Sequence, residues 1–279
     1  MKRYFRIGCV VLFISSLCRS VDAQSQALAM EEVMATVHRN VIQFRDTLPN
    51  FVCNEKITSR VFENSKMSKQ KVIESLFTWT REAQPKPKSD RMVESREVLA
   101  IDGKPVRKGT KMPDAPFLPK ELTFNTLFIV FASAPGVAPY FYDYKVTGRE
   151  KVGDLSTLRI EFEQMKPLVG SIRFAGTAWI DLEFMQVVRT ELHFLGFARS
   201  SVMDDFDAYS ILTDYAKAEI DGKPFWLPRS VKVEGTRSKN GKSDAYVARY
   251  VAEYANCRRF DVSVEIKFGN EAAPTPPQQ

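Results

Sequence analysis

Residues that could perform catalysis are few and scattered in this 279-residue sequence. Its two histidines are His38, within a helical pattern, and His193, in mid-strand on the face that also carries Arg189 and Glu191. A histidine on such a charged strand face is typical of a solvated surface rather than of a general base. The motifs HExxH, GxSxG, the P-loop and a GxGxxG after a strand do not occur.

Acidic residues offer one further candidate for chemistry. Asp204, Asp205 and Asp207 crowd a short stretch, and paired carboxylates serve glycosidases when a cleft fixes their separation. We favour a solvated loop, because the sequence defines no such cleft. Zinc is not expected without clustered ligands. The sequence therefore predicts no catalytic residue, no metal and no cofactor, with an unrecognised hydrolase as the remaining enzymatic alternative.

The N-terminus has the pattern of a cleavable export signal. A basic start, Lys2 to Arg6, precedes an apolar core at 7–17, which is too short to span a bilayer. Val21 and Ala23 then suit the −3 and −1 positions, which predicts cleavage between Ala23 and Gln24. An uncleaved anchor and a lipidated cysteine are the alternatives. We expect a periplasmic or secreted protein.

Removal of residues 1–23 changes both charge and cysteine content. Four basic residues and one acid leave with this segment, so the net charge falls from +6 to +3 and the case for a nucleic-acid partner weakens. Two of the four cysteines leave as well. Cys53 and Cys257 remain, and in an oxidising compartment they are a candidate disulfide. Two unpaired thiols are the alternative.

The rest of the chain reads as one helix followed by strands. Apolar residues recur at three- and four-residue steps over 27–48, which predicts a helix that Pro49 ends. The period then changes to two; Phe174, Gly176, Ala178 and Ile180, for example, share one strand face. Nine or more strands without intervening helices favour an antiparallel sheet.

Domain organisation follows from these patterns. We expect a single, mainly β (α+β) domain over 24–269, which includes a strand at 261–268, and a disordered Pro-rich tail over 270–279. Tyr246, Tyr250 and Tyr254 are four residues apart and suit a helix face, but the neighbouring strands favour a strand here.

One segment, 122–142, has 21 residues and no charge. Pro135 and Pro139 prevent a single membrane helix, so no transmembrane segment is expected after signal cleavage. A short apolar helix at about 124–131 and a loop are predicted. The segment either fills the concave face of a curved sheet as a fixed plug or covers an apolar cavity as a lid.

Several motifs of the second half resemble those of a known superfamily. They are GTAWID at 176–181, VVR at 187–189, DGKPFWLP at 221–228 and the closing stretch at 250–260. Their order resembles the Lol-type half-barrel superfamily of outer-membrane lipoprotein-sorting carriers and periplasmic sensors. The LPNFVC start at 48–53 resembles a group of uncharacterised bacterial exported proteins.

The resemblance implies a strongly curved antiparallel sheet, a half-barrel, wrapped round a helical plug with a cavity for acyl chains or a lipoprotein segment. The function we favour is an exported binding protein for an apolar ligand or a lipidated partner. Its candidate ligand-binding residues are Phe124, Phe128 and Phe131 in the plug and Trp79 and Trp179 on the sheet. A structural or interaction domain of the envelope with a filled concave face is the alternative.

Overall fold

The structure, a computed structural model, describes residues 31–82, 91–118, 131, 142–165, 173–195, 206–239 and 242–260. The predicted signal segment and its cleavage site at Ala23 and Gln24, the strand at 261–268 and the tail lie outside these residues. Among the described residues no helix combines the length and apolarity needed to cross a bilayer.

Eleven strands and one helix of several turns make up the described part of the chain. Helix α1 covers 31–47, within the predicted range. The strands are β1 (Phe51–Glu63), β2 (Lys66–Glu82), β3 (Arg91–Ile101), β4 (Lys104–Pro105), β5 (Tyr142–Val152), β6 (Leu155–Gln164), β7 (Arg173–Asp181), β8 (Val187–Leu195), β9 (Ala208–Ile220), β10 (Lys223–Lys239) and β11 (Lys242–Arg259). The three tyrosines four residues apart therefore lie in a strand, β11, as predicted.

All strands join one antiparallel sheet in the order β4-β3-β2-β1-β11-β10-β9-β8-β7-β6-β5. Consecutive strands pair with each other except β4 and β5, and β1 also pairs with β11, so the two ends of the described chain lie side by side. The sheet curves without closing, because β4 and β5 form its two edges. The predicted half-barrel is confirmed, and its gap lies where the chain runs from β4 to β5.

A single row of cross-strand partners runs along the inner face of the sheet. It contains only β-branched residues and alanine: Ile101, Ile73, Ile57, Ala252, Val231, Thr213, Thr190, Ala178, Ile160 and Val146. Eight of the ten are 0% exposed, Ile101 on β3 is partly buried, and Val146 on the edge strand β5 is 39% exposed. β-branched side chains favour strands, and the small residues in the middle leave room for the elements that the sheet surrounds.

Helix α1 lies across the inner face of the sheet. Its buried side chains include Val37 and Val41, which belong to the core. His38 contacts Tyr144 of β5 with ring centroids 6.0 Å apart, and Phe44 contacts Phe225 of β10 at 6.3 Å. The helix therefore bridges both sides of the curved sheet and buries apolar surface that the sheet alone would leave exposed.

A disulfide joins Cys53 of β1 to Cys257 of β11, which confirms the predicted pair. The two Cα atoms are 4.1 Å apart, and the bond spans 204 residues of sequence. It sits at an irregularity in the β1–β11 register, between the partners of Val52 and Asn54. The bond therefore links the two strands whose pairing unites the sheet.

We expect loss of the disulfide to destabilise the protein. Replacing Cys53 and Cys257 with alanine should lower the free energy of unfolding by about 2–5 kcal/mol, because the unfolded chain is freed from a very long loop. Denaturant titration of the oxidised protein against the double variant measures this loss. Two thiols that react with an alkylating agent in the native oxidised protein would contradict the bond.

We expect Gly176 of β7 to be needed for packing between neighbouring strands. A Cβ atom there would overlap the backbone oxygen of Glu191 and lie 2.9 Å from Cζ of Phe162. Gly176→Ala should therefore cost about 1–3 kcal/mol of stability, as overpacked sites do. Gly148→Ala, with nothing within 4 Å of the added carbon, is the control. Equal unfolding midpoints for the two variants would refute this expectation.

Candidate functional site

At the β5 side of the gap, the inner face is aromatic. Tyr142, Tyr144 and Phe162 line it, and we call these three residues the aromatic wall. Phe131, from the uncharged segment between β4 and β5, lies on this wall with 0% exposure. Its ring is 6.3 Å from Tyr144 in a stacked arrangement and 6.1 Å from Phe162 edge-on. An apolar group from a connecting segment thus occupies the inner face next to the gap.

The surroundings of Phe131 are uncharged. His38 of α1 contacts its ring edge-on at 6.3 Å, and burial lowers the pKa of this histidine. The Nε2 atom of His38 has no hydrogen-bond partner among the described residues. Burial also raises the pKa of Tyr142 to about 12 and that of Tyr144 further. At neutral pH these groups carry no charge, which suits contact with an apolar group.

A second group of aromatic side chains covers the inner face at β7 to β9. It consists of Phe117, Phe174, Phe194, Phe206 and Tyr209. Phe117 is fixed to β1, since the Ser59 hydroxyl donates to its carbonyl oxygen at 2.7 Å and accepts from its N–H at 2.9 Å. The ring of Phe206 lies against Gly235, where a Cβ atom would approach it to 2.6 Å. This part of the inner face is filled by the protein itself.

Four polar side chains lie among the aromatic residues of the inner face on β3, β2, β1 and β11. Glu55, Ser75, Arg96 and Tyr254 come from four adjacent strands, and we call them the polar wall. The Glu55 side chain is completely buried; it accepts hydrogen bonds from Nε of Arg96 at 2.8 Å and from the Ser75 hydroxyl at 2.7 Å. Arg96 also lies over the Phe77 ring at 5.0 Å. Burying an ion pair between β1 and β3 costs desolvation free energy that an apolar core would not require.

The Glu55 carboxylate and the Arg96 guanidinium stabilise each other in their charged forms. Burial alone would lower the pKa of Arg96, but the Glu55 carboxylate outweighs burial and holds that pKa above its usual range. Burial, and then the charge of Glu55, raise the pKa of Tyr254, so its hydroxyl keeps its proton. This hydroxyl is buried and has no hydrogen-bond partner among the described residues.

The structure places the sequence-predicted ligand residues differently from one another. Phe131 lies on the inner face, while Phe124 and Phe128 lie outside the described residues. Trp79 faces inward, 0% exposed, and stacks on Phe51 with centroids 5.6 Å apart. Trp79 is thus a core residue beside the polar wall rather than an open surface for a ligand.

Trp179 lies on the outer face of the sheet, so we no longer assign it to a site on the inner face. Its indole N–H donates to the carboxylate of Glu150, and the Arg189 guanidinium lies 5.8 Å from its ring. Arg189 donates to Asp214 at 2.6 Å, and Asp214 accepts from Ser230 at 3.2 Å. Trp179 therefore belongs to a polar belt that ties the outer face from β5 to β10.

The residues of the polar wall were missed in the sequence. Phe51, Cys53 and Ile57 alternate along β1 and point inward, and Glu55 falls at the same phase. A carboxylate at an inward position was the signal that could have identified the site. His193, in contrast, is half-exposed on the outer face, 3.4 Å from Glu191, which agrees with the predicted solvated position. In the described part of the chain, no three potential metal ligands come together.

No family profile matches the sequence, and no curated protein does so either. Among solved structures, the chain is similar to a DUF1329 family protein from Desulfovibrio piger, with 14% identity, a TM-score of 0.39, and coverage of 84% of this chain and 94% of that one. It is also similar to a LolA superfamily protein from Nitrosomonas europaea, with 13% identity, a TM-score of 0.34, and coverage of 81% and 95%.

A domain from Vibrio parahaemolyticus assigned to outer-membrane lipoprotein sorting is a third similar structure. It shares 11% identity and a TM-score of 0.38, with 84% of this chain and 93% of that one covered. The names of two of these three proteins refer to the LolA superfamily or to lipoprotein sorting. Similarity at this level extends to no ligand, partner or activity.

We expect the buried ion pair to be sensitive to loss of one partner. Arg96→Met leaves the Glu55 carboxylate buried without its cation, so the free energy of unfolding should fall by about 3–5 kcal/mol. Glu55→Gln combined with Arg96→Met should recover most of this loss. Denaturant unfolding of the three proteins measures the differences.

A matched control is Arg249→Met, which breaks the exposed pair with Glu234 at 2.5 Å. This pair is worth at most about 1 kcal/mol, because both side chains are in water. If Arg96→Met cost no more than Arg249→Met, the buried pair would have no special weight in the fold.

Proposed function

We propose that this protein is an exported, non-enzymatic binding protein that holds the apolar chain of a lipid or of a lipidated partner on the inner face of its half-barrel. One observation carries the proposal: the aromatic wall next to the gap is occupied by Phe131, which belongs to a connecting segment and not to the sheet. An apolar ligand could take the place of such a side chain without disturbing any strand.

The position of the gap supports this exchange. β4 and β5 are the two edges of the sheet, so widening the space between them breaks no pairing between strands in the described part of the chain. Burial of an acyl chain gains about 0.8 kcal/mol per methylene, so about ten methylenes give roughly 8 kcal/mol before the costs of binding. An apolar surface with few polar groups is sufficient for such a ligand.

The disulfide supports an exported protein. Stable disulfides form in the periplasm or outside the cell and are rare in the cytosol. This argument is independent of the predicted signal at 1–23, and the two agree. The resemblance of the motifs to Lol-type carriers is the further reason for a lipid or a lipidated partner rather than another apolar ligand.

A second candidate is a structural or interaction domain without a ligand. Its support is the complete burial of Phe131 and the extent to which α1 and Phe117 already fill the inner face. In that case the segment that contains Phe131 is a fixed plug. The two candidates differ in whether an apolar compound can displace Phe131.

Extraction of the purified protein distinguishes them. The full chain is expressed in a bacterium, recovered from the periplasm and extracted with organic solvent, and the extract is analysed by mass spectrometry. Co-purified lipid in stoichiometric amount is the expected result. Lipid-free extracts, with no change in melting temperature on addition of monoacylglycerols or phospholipids, would exclude the binding function.

We expect Phe131→Ala to separate stability from ligand affinity. Without ligand the variant should lose about 3–5 kcal/mol, as truncated core phenylalanines do. Monopalmitoylglycerol should bind it more tightly than it binds the wild type and restore part of the lost stability, because the competing side chain is gone. Calorimetric titration and thermal unfolding measure the two effects.

Phe184→Ala is the control, since Phe184 is 50% exposed at the β7–β8 turn. This variant should match the wild type in stability and affinity. A Phe131→Ala protein that is destabilised but binds no monopalmitoylglycerol would favour the fixed plug.

A further inference from the structure

Two regions of the inner face differ in chemistry. The region at β5 and β6 carries the aromatic wall, which is uncharged, whereas the region from β3 to β11 carries the polar wall with its buried ion pair. A purely apolar ligand forms no hydrogen bonds with buried polar groups. Desolvation of these groups destabilises the fold unless they are hydrogen-bonded or paired. The polar wall therefore calls for an explanation beyond a general apolar cavity.

Most of the polar wall is satisfied within the protein. Glu55 receives Arg96 and Ser75, so these three side chains link β1, β2 and β3 and can be explained by strand registration. The exception is Tyr254 on β11, the cross-strand neighbour of Glu55. Its ring packs edge-on against Phe77 at 5.3 Å, and its residue is 7% exposed.

The hydroxyl of Tyr254 lacks a hydrogen-bond partner among the described residues. A buried hydroxyl without a partner destabilises the fold, and phenylalanine at this position would avoid that loss of stability. The phenol keeps its proton because of burial and the nearby Glu55 charge, so it is available as a donor. A donor held in this way fits an acceptor that arrives with a ligand.

The net charge of the side chains around Tyr254 indicates whether that acceptor is neutral or anionic. Glu55 and Arg96 neutralise each other, and Glu94 lies 3.9 Å from the Arg96 guanidinium, so these three side chains sum to one negative charge. A carboxylate or phosphate would be repelled in such surroundings. A neutral carbonyl oxygen accepts a hydrogen bond without this penalty.

We propose that Tyr254 donates a hydrogen bond to the ester carbonyl of an acylglycerol whose acyl chain lies on the inner face, so that the site selects esters over ethers and over free fatty acids. This inference rests on the proposed function and adds to it the linkage that the ligand carries. Phe77 on β2 packs against the Tyr254 ring, and in this proposal the aromatic wall accepts the chain.

Two probes that differ only in the carbonyl test the inference. Monopalmitoylglycerol carries an ester, and O-hexadecylglycerol has an ether at the same place. The full-length protein should bind the ester about three- to tenfold more tightly, as one added neutral hydrogen bond allows. Palmitate, with its carboxylate, should bind more weakly than both.

Tyr254→Phe should remove the ester preference and leave ether binding unchanged. Its stability without ligand should equal or exceed that of the wild type, because an unsatisfied hydroxyl is lost; a structural hydroxyl would instead lower it. Tyr246→Phe, on the same strand but packed on Arg237, is the control and should keep the preference.

The outcomes separate this inference from the function on which it rests. If wild-type protein binds ester and ether equally, or if Tyr254→Phe keeps the ester preference, the role of Tyr254 is refuted while lipid binding stands. If neither probe binds, the proposed function fails as well. A peptide bearing the same acyl ester that competes with monopalmitoylglycerol would extend the contact to a lipidated partner and support it equally.

Discussion

Pairing between β1 and β11 is the constraint on which this structure depends. All other strand pairs join neighbours in sequence and could form as local hairpins, but β1 and β11 lie at opposite ends of the described chain. Without their pairing, β1 to β4 and β5 to β11 would be two separate sheets. Local hairpins are marginal by themselves, and burial on one shared inner face is what stabilises them together.

The same pairing assembles the features that we assign to function. Glu55 belongs to β1 and Tyr254 to β11, so the polar wall exists only when the two strands meet. The opening of the half-barrel then lies between β4 and β5, because all other successive strands are paired with each other. Phe131, from the uncharged segment between β4 and β5, lies on the inner face beside this opening.

Much of the fold could be predicted from the sequence because its determinants are local. Alternation indicates the strands, and apolar residues at three- and four-residue steps indicate α1. Pairing of β1 with β11 could not be derived in this way, since it depends on contacts far apart in sequence. The two mature cysteines were the only local hint of it.

The site was predicted less well, for a physical reason. Trp179 was a candidate ligand contact, although the alternation along β7 places Ala178 and Ile180 inward and therefore Trp179 outward. Buried charges were missed because Glu55 looks like a surface residue by type. Its phase along β1, and not its polarity, determines that it lies inside.

The disulfide has a consequence for the order in which the chain matures. Cys53 is synthesised 204 residues before Cys257, so at ordinary translation rates it waits roughly 10 to 40 seconds for its partner. If the predicted cleavage after Ala23 removes Cys9 and Cys18, Cys53 has no other cysteine of the given sequence to pair with in the meantime. Oxidation before synthesis is complete can then only join separate chains or attach a small thiol. The intramolecular bond consequently marks a chain whose last strand has reached its place.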